Sequence, residues 1–582
     1  MQYIAGTVQP IGKYALLNGP QYNDIYTEYY KELGLNSVFS SPYNTDWVNE
    51  VTRTALSQQV DLSMSGGADK IQYYLSGSYT DQPSYIINNN YKRYTGRINF
   101  TYQATKNFSA GVNMSLSYTD NTSMNAPAIY QNALIKAPNL PVKDDNGNYV
   151  YDKGSNPFGN MDVNPVADAL LNTNRLETTE GLGNLFLQFK PVSWLTFRSE
   201  IGTELDNGDA YTRRVKRPSG YGNDAVETTN GNQKIVINNT ASLLKPIGSV
   251  HYINAVVGQS YEQSTENNIQ IGGYNFFSDD IRSISGAGSK YILNANRQKW
   301  ALVSYFARVN YEYDHKYLAG VTYRIDGSSR FSSNNRYIGF PSFSAGWRLS
   351  QESFMKNLKG VDDIKLRGSI GFSGNNSSTS YYGSQGQYTL NEDNLSYGGI
   401  QILQMVQPEN PNLKWERTQS IDIGLDVTLW NNRFNLTADY YQKRIKDMIL
   451  TSAIPLYQGW TSQPQNIGDM VNKGAELLVS GDIIRKKHFT WTASLNIATN
   501  SNKILKLNLS GEEAGLANDA YKYMKVGEPA AQFFLYDWRG VDANTGNPLW
   551  SDGKGNISTT PPASLFAQVP DVNVFRRTYG TS

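Results

Sequence analysis

The sequence contains no cysteine, so it can hold neither a disulfide nor a thiolate metal site. Histidine is nearly absent too. His251, His315 and His488 are the only three, each beside an expected short turn and far from the others in the chain. No HExxH, GxSxG or Walker pattern occurs, so zinc chemistry, a serine triad and phosphate-loop chemistry lack their usual support, and no enzyme is expected. An excess of charge of one sign is also lacking: 52 Lys and Arg stand against 51 Asp and Glu, which gives no basic field for nucleic acid. No run of about 18 apolar residues exists to make a spanning helix, and mean hydropathy is negative. Those shortages leave a membrane open, because a spanning strand needs only about 9–11 residues with alternate ones apolar. The opening Met1-Gln2-Tyr3-Ile4-Ala5 lacks the charged start and apolar core of a secretory leader. An exported wall needs such a leader, so the expectation is a fragment of a longer chain.

What the chain does have is Tyr (41 residues), Gly (50) and repeated alternation. The plainest case runs from Trp415 to Lys446. Ile421, Ile423, Leu425, Val427 and Leu429 fall on one face of a strand, while Asp422, Gly424, Asp426 and Thr428 fall on the other. Asn431 and Asn432 then turn the chain, and Phe434, Leu436, Ala438 and Tyr440 resume the apolar face. Similar hairpins are expected at Gly66 to Asp69, Ala104 to Asn107, Pro191-Val192, Pro246 to Gly248, Asp314-His315, Lys356 to Asp363 and Lys486-Lys487. Eight hairpins make about sixteen strands. The other connections are long and polar: Asp120 to Thr178, Asp206 to Gln233, Ser264 to Asn296, Asn375 to Glu416, Asp447 to Lys473 and Thr499 to Phe534. Short turns at one end and long loops at the other are the asymmetry of an outer-membrane barrel. The expected fold is therefore all-β, a transmembrane antiparallel β-barrel with long extracellular loops and short periplasmic turns.

Several stretches resemble the SusC/RagA family of TonB-dependent outer-membrane transporters of Bacteroidetes. They include Thr45-Asp46-Trp47, Leu62 to Gly67, Tyr73 to Tyr79, Phe340 to Arg348, Lys365 to Gly371, Asn412 to Glu416, Asn472 to Glu476 and Tyr536 to Asp542. The resemblance implies a barrel of twenty-two strands around a plug, of which about sixteen are present here. On that basis 1–57 is expected to be a linker from the plug, 58–551 the partial barrel and 552–582 an irregular truncated tail. It further implies active import of oligosaccharides (glycans) or peptides across the Gram-negative outer membrane. The implied partners are a SusD-like surface lipoprotein, the TonB-ExbB-ExbD energy-coupling complex, acting through an N-terminal region not in this sequence, and outer-membrane lipid. No cofactor is implied.

Apolar residues such as Ile421, Leu425, Phe434 and Leu436 should face lipid; Asp422, Asp426, Arg198, Glu200 and Glu204 should line a wet interior. Loop aromatics, Tyr381, Tyr382, Tyr388, Tyr397, Tyr457 and Trp460, are the candidate substrate-binding residues, since flat rings stack on sugar faces and on peptide side chains. Asp144 to Asn148 and Asp542 to Gly546 faintly resemble calcium loops, but turns are the favoured reading and no metal site is expected. Two rivals remain: a soluble cell-surface glycan-binding β-protein, and a glycoside hydrolase for which no carboxylate pair can be nominated. A sandwich would bury Ile423, Val427 and Leu436 between two sheets; a membrane wall would expose them.

Overall fold

The computed structural model describes residues 16–32, 34, 40–151, 163–217, 220, 222–356, 358–390, 396–397, 400–401, 403–454, 462–507, 516–517, 522–536, 538–551, 557–559 and 576–581. Sixteen strands hydrogen-bond in one antiparallel sheet, each beside its neighbour in sequence. They are β1 (Gln58–Ala68), β2 (Ile71–Pro83), β3 (Asn90–Gln103), β4 (Phe108–Thr122), β5 (Thr173–Val192), β6 (Leu195–Arg214), β7 (Asp224–Ile247) and β8 (His251–Phe276). Then come β9 (Ala287–Tyr313), β10 (Tyr317–Ser328), β11 (Tyr337–Arg348), β12 (Val361–Asn375), β13 (Glu416–Leu429), β14 (Phe434–Ala453), β15 (Ser462–Lys486) and β16 (Phe489–Leu507). The chain forms two compact units: residues 1–187, 200–236 and 264–299 make the first, and 188–199, 237–263 and 300–582 the second.

All eight expected hairpins form. Register explains their faces: Leu425 lies opposite Ala438, Ile423 opposite Tyr440 and Val427 opposite Leu436, so the apolar residues of β13 and β14 share one face. In the first unit Leu62, Gly77, Gly96 and Leu116 line up the same way across β1 to β4. This apolar face is bare. Ile423 is 54% exposed, Leu62 74%, Leu116 60% and Leu495 58%, and Val427 and Leu436 are half-exposed. A sandwich core is excluded by those numbers.

Buried apolar clusters lie instead where the long connections leave the strands. In the first unit Trp47, Val51, Ile86, Met124, Ile129, Ala133, Val166 and Ala169 pack together, and Ala225, Phe276, Ile284 and Ala287 form a second group. The second unit holds Phe331, Phe340, Leu413, Trp415 and Ile449, and separately Ile504, Leu507 and Met524. Helices α2 (Trp47–Val51), α3 (Ala126–Ile135) and α4 (Pro165–Leu171) build the first of these clusters. Asn164 caps α4 by accepting from the Val166 and Ala167 N–H groups at 3.1 Å each. Its amide donates to Val142 O (2.9 Å) and Val150 O (3.0 Å), which ties the preceding loop to the helix.

Several boundaries differ from the sequence reading. Within the stretch 1–57, read from sequence as a linker, a helix α1 runs from Gly19 to Glu32, because Asn18 and Gln21 cap each other at 2.9 and 3.1 Å and Pro20 suits the first turn. Pro191 and Pro246 end strands rather than sitting in turns; the turns are 193–194 and 248–250. Asn431 and Asn432 turn the chain as expected; both have positive φ, and Trp430 does as well (56°). Strand extends well into the segments read as loops, over 206–214 and 224–233, 264–276 and 287–296, 447–453 and 462–473, and 499–507. The reason is length. β8 has 26 residues and β9 has 27, against about 9–11 needed to cross a bilayer. Beyond the membrane both faces of a strand meet water, so the hydrogen-bond ladder continues without the alternation that reveals it. Arg576–Thr581, expected to be irregular, pairs with Gln532–Tyr536; six residues are too few to show a period.

In lipid vesicles, Ile423→Lys should cost about 2–4 kcal/mol of folding stability, whereas Ser420→Lys on the opposite face should cost within about 0.5 kcal/mol. Urea titration of the vesicle-inserted protein measures both.

Candidate functional site

The second unit's loop end is organised around the motif Asn412 to Glu416. Leu413 and Trp415 are buried, with the Trp415 ring 5.0 Å from Phe331 and 6.0 Å from Phe340. Trp415 Nε1 donates to Arg336 O at 3.0 Å. Gly374 makes this possible, since a Cβ there would collide with the Phe340 and Trp415 rings. Glu416, also buried, accepts from the Ile449 N–H at 2.7 Å, from Asn375 Nδ2 at 2.9 Å and from the Ser378 hydroxyl. One carboxylate thus joins the end of β12, the start of the following loop and β14.

Beside it lies Arg330, buried and placed over the rings of Tyr381 (4.4 Å) and Trp300 (5.0 Å). Its Nη1 donates to Thr379 O at 2.8 Å. Tyr381 is therefore not the free stacking surface expected of it: it is half-buried, because its ring covers a buried cation. Tyr382 is likewise half-buried, and its carbonyl accepts from Gln387 and Gln407. Tyr388, 55% exposed on the strand Gln387–Leu390, is free to meet a ligand. Tyr397 lies in the two-residue strand Ser396–Tyr397, paired with Ile400–Gln401. Tyr457 and Trp460 fall outside the described residues. The first unit has a comparable clasp. Arg213, fully buried, lies 4.1 Å over Phe276 and 3.6 Å from Asp279, and bonds the Asn223 side chain and Ile281 O. Neither arginine was foreseen, since an Arg in a loop reads as solvated until its aromatic partners are known.

The polar face carries a second arrangement. Arg367 reaches Asp422 (3.2 Å), Asp426 (3.1 Å) and Asp439 (2.6 Å) at once. Gly424 leaves room for it, as a Cβ there would strike the guanidinium and the Asp439 carboxylate. A 600 Å³ hollow, lined among others by Asn310, Glu312, His315, Lys365, Arg367 and Asp422, opens on this face. In the first unit a 370 Å³ hollow is lined by Arg97, Asn99, Asn113, Asn184, Glu204 and Lys234. Glu200 accepts from Asn184 there, and in the second unit the Arg198 carbonyl accepts from the Thr240 hydroxyl at 3.5 Å. Asp422, Asp426 and Glu204 thus face polar surroundings, as expected.

The histidines stay apart in role. His251 Nδ1 meets the Tyr311 hydroxyl at 2.7 Å, and His315 bonds Glu312. The two calcium-like loops fold as turns. Asp144 accepts from the N–H groups of Asn146 (3.0 Å) and Asn148 (2.8 Å), and Asp542 from those of Asn544 (2.9 Å) and Thr545 (2.8 Å). Among the described residues no three His, Asp or Glu side chains are grouped to hold a metal. The backbone N–H of Asn148 holds the Asp144 carboxyl below the usual carboxylate range, and that of Thr545 does the same for Asp542.

The family described as "TonB dependent receptor-like, beta-barrel" matches residues 137–574. The chain belongs to that family. TonB-dependent receptor P26 of Formosa agariphila is 30% identical over 91% of this chain and 56% of its own length. TonB-dependent receptor SusC of Bacteroides thetaiotaomicron is 27% identical over 88% of this chain and 54% of its own. The chain spans about half the length of these curated relatives. Among solved structures, the RagAB peptide transporter superposes with a TM-score of 0.77 at 26% identity, covering 93% of this chain and 62% of that one. The resemblance to the SusC/RagA group and the antiparallel barrel fold both stand on these matches.

Two outcomes follow from the geometry. Glu416→Ala leaves the Ile449 N–H, Asn375 and Ser378 without their acceptor, at about 1–3 kcal/mol for the buried donor alone. Faster hydrogen exchange over 376–386 and 447–451, with the rest of the wall unchanged, is the expected reading. The Asp144 and Asp542 turns are stabilised only while ionised, so their contribution is present above the free carboxylate value of about 4 and lost as pH falls through the depressed one. Acid-dependent proteolysis at 144–148 should therefore begin below about pH 4, show no change between about pH 5 and 8, and vanish as a transition in Asp144→Ala.

Proposed function

We propose that this chain forms the wall and mouth of an outer-membrane importer. The observation that carries the reading is one sheet with an exposed apolar face and, opposite it, a charged face holding hollows of 600 and 370 Å³. Lipid satisfies the first face and a hydrated path the second, while the ladder leaves few backbone groups for the bilayer to accommodate. Residues 58–551 are the wall, 1–57 the passage leading into it, and 552–582 a tail beyond it. The cargo is an oligosaccharide or a peptide; the similarity to a structure called a peptide transporter supports the peptide arm. A SusD-like surface lipoprotein would lid the mouth, and the TonB-ExbB-ExbD complex would supply the pull through parts of the whole protein that this chain does not span.

Loops select the cargo. Tyr388 is the exposed ring best placed for a ligand, with Tyr397, Tyr457 and Trp460 as further candidates; Tyr381 and Tyr382 act by holding the loop in shape.

The test is uptake by cells carrying the full-length protein, using labelled oligopeptides and oligosaccharides of matched size. Deletion of the gene should abolish uptake of one class and its restoration should recover it. Protein that stays in the aqueous phase without detergent, or uptake of both classes unchanged on deletion, would refute the reading. Tyr388→Ala should weaken ligand binding about three- to tenfold without lowering the amount of folded protein, the loss of one ring contact of about 0.5–1.5 kcal/mol. Equilibrium binding to the purified transporter measures it.

A further inference from the structure

At the short-turn end of the second unit three connections lie side by side, joining β11 to β12, β13 to β14 and β15 to β16. Hydrogen bonds knit them together. The Trp430 N–H donates to Gly360 O at 2.8 Å and the Asn432 N–H to the Asp362 carboxylate at 3.0 Å. Arg433 donates to the Asp482 and Ile483 carbonyls at 2.7 Å each, and Arg485 to Asn431 O at 3.3 Å. The three turns thus present one surface, and the short turns of an outer-membrane wall lie on its periplasmic side.

Cations at this end are matched differently on the two faces. On the polar face Arg485 lies 3.6 Å from Asp482, Arg348 lies 3.5 Å from Asp363, and Lys365 is the register partner of Asp426. On the apolar face Lys486 is the register partner of Phe489, and the next pair on that face is Ile484 with Trp491. Lys486, Lys487 in the turn after it, and Lys359 in the first connection are exposed and make no ion pair or hydrogen bond among the described residues. Beside them Trp430, Phe489 and Trp491 are exposed, the Trp430 ring 5.4 Å from that of Phe434. Aromatic rings and unpaired ammonium groups at the margin of an apolar band belong at the headgroup layer of a bilayer, where a lysine stem lies along apolar surface and its charge reaches the water. Acids of the wall answer the polar-face cations; the described wall offers none to these three lysines.

We propose that this surface binds the headgroup of a glycerophospholipid of net negative charge, of the phosphoglycerol class, from the periplasmic leaflet. Its phosphate meets Lys486 and Lys487, Lys359 adds positive charge from the neighbouring connection, and its acyl chains run along the apolar face past Trp491 and Leu495. Charge selects this headgroup. A phosphoethanolamine headgroup would bring its own ammonium to a surface whose cations already lack partners, whereas a net anion supplies the missing counter-charge. Each basic residue at a membrane surface favours anionic lipid by about fivefold, so three of them distinguish the two classes in a mixed leaflet. The inference rests on the membrane-wall reading, and the experiment separates the two.

The full-length protein is reconstituted in vesicles of phosphoethanolamine lipid holding a minor share of phosphoglycerol lipid, re-extracted in mild detergent, and its retained lipid counted by mass spectrometry. The retained ratio of phosphoglycerol to phosphoethanolamine lipid should exceed that of the vesicles by about tenfold or more. Lys486→Gln with Lys487→Gln should lower this enrichment at least about fivefold, and Lys486→Arg with Lys487→Arg should preserve it. Lys143→Gln, at the loop end, should leave it unchanged. Heat-dependent gel mobility confirms that each variant is folded; if the glutamine pair fails to fold, Lys359→Gln, expected to lower the enrichment several-fold, still decides. Equal retention of both classes by the native protein, enrichment that survives in the glutamine pair, or enrichment lost equally in the arginine pair or in Lys143→Gln overturns the inference while the protein remains a membrane wall. Protein that needs no detergent overturns the membrane reading itself.

Discussion

The ladder of the sheet leaves each wall residue only its side chain with which to meet its surroundings. In sixteen antiparallel strands the backbone groups are largely consumed between neighbours, and what remains is the period of two. That period separates a hydrocarbon-compatible face from a charged one, and it does so without any core between sheets. The usual arrangement of a folded protein is therefore inverted. Apolar side chains of the wall are exposed, and the buried ones, Trp47 with Ile129 or Trp415 with Phe340, lie at the loop ends where water would otherwise reach them. Stability in the wall comes from hydrogen bonds and lipid, while stability in the loops comes from ordinary packing.

This division explains which parts of the fold were legible in the sequence. Ile421 to Leu429 and Phe434 to Tyr440 could be read as strands because lipid on one side and water on the other enforce alternation, and all eight hairpins between such stretches were located. The outer halves of β7, β8 and β9 could not. In Ser264 to Ile269 or Gly288 to Arg297 polar residues occur on both faces, so nothing distinguishes an extended strand from a loop until the neighbouring strand is in place. The loop aromatics show the same limit. Tyr381 and Tyr388 look alike in sequence; one covers a buried guanidinium and the other is exposed, and the difference is set by Arg330 and Trp300, about 50 and 80 residues away. The resemblance marked Asn412 to Glu416 as a motif, but only the structure shows its work: Trp415 fills the cluster and Glu416 holds three donors.

Buried charge is what makes these loops definite in shape. An arginine or glutamate taken out of water is unfavourable unless every partner is in place, so a clasp of this kind is tolerated in one geometry and opposed in most others. Arg213, Arg330 and Glu416 each bridge segments distant in sequence, and each adds an aromatic or backbone partner that a looser loop would not offer. A hydrophobic cluster alone would tolerate sliding; a guanidinium held over both Tyr381 and Trp300 does not. Pre-shaped loops in turn reduce the ordering that a ligand must impose on binding.

The polar face obeys a different rule. Arg367 answers three carboxylates with one cation, and Lys365 lies opposite Asp426 in the ladder without closing the account. On a face that meets water such a cluster is screened by solvent and ions, and it favours hydrated groups over apolar ones. The two faces of one strand therefore perform opposite tasks, and Gly424, small enough to let Arg367 cross it, is where the charged task takes priority over filling the sheet.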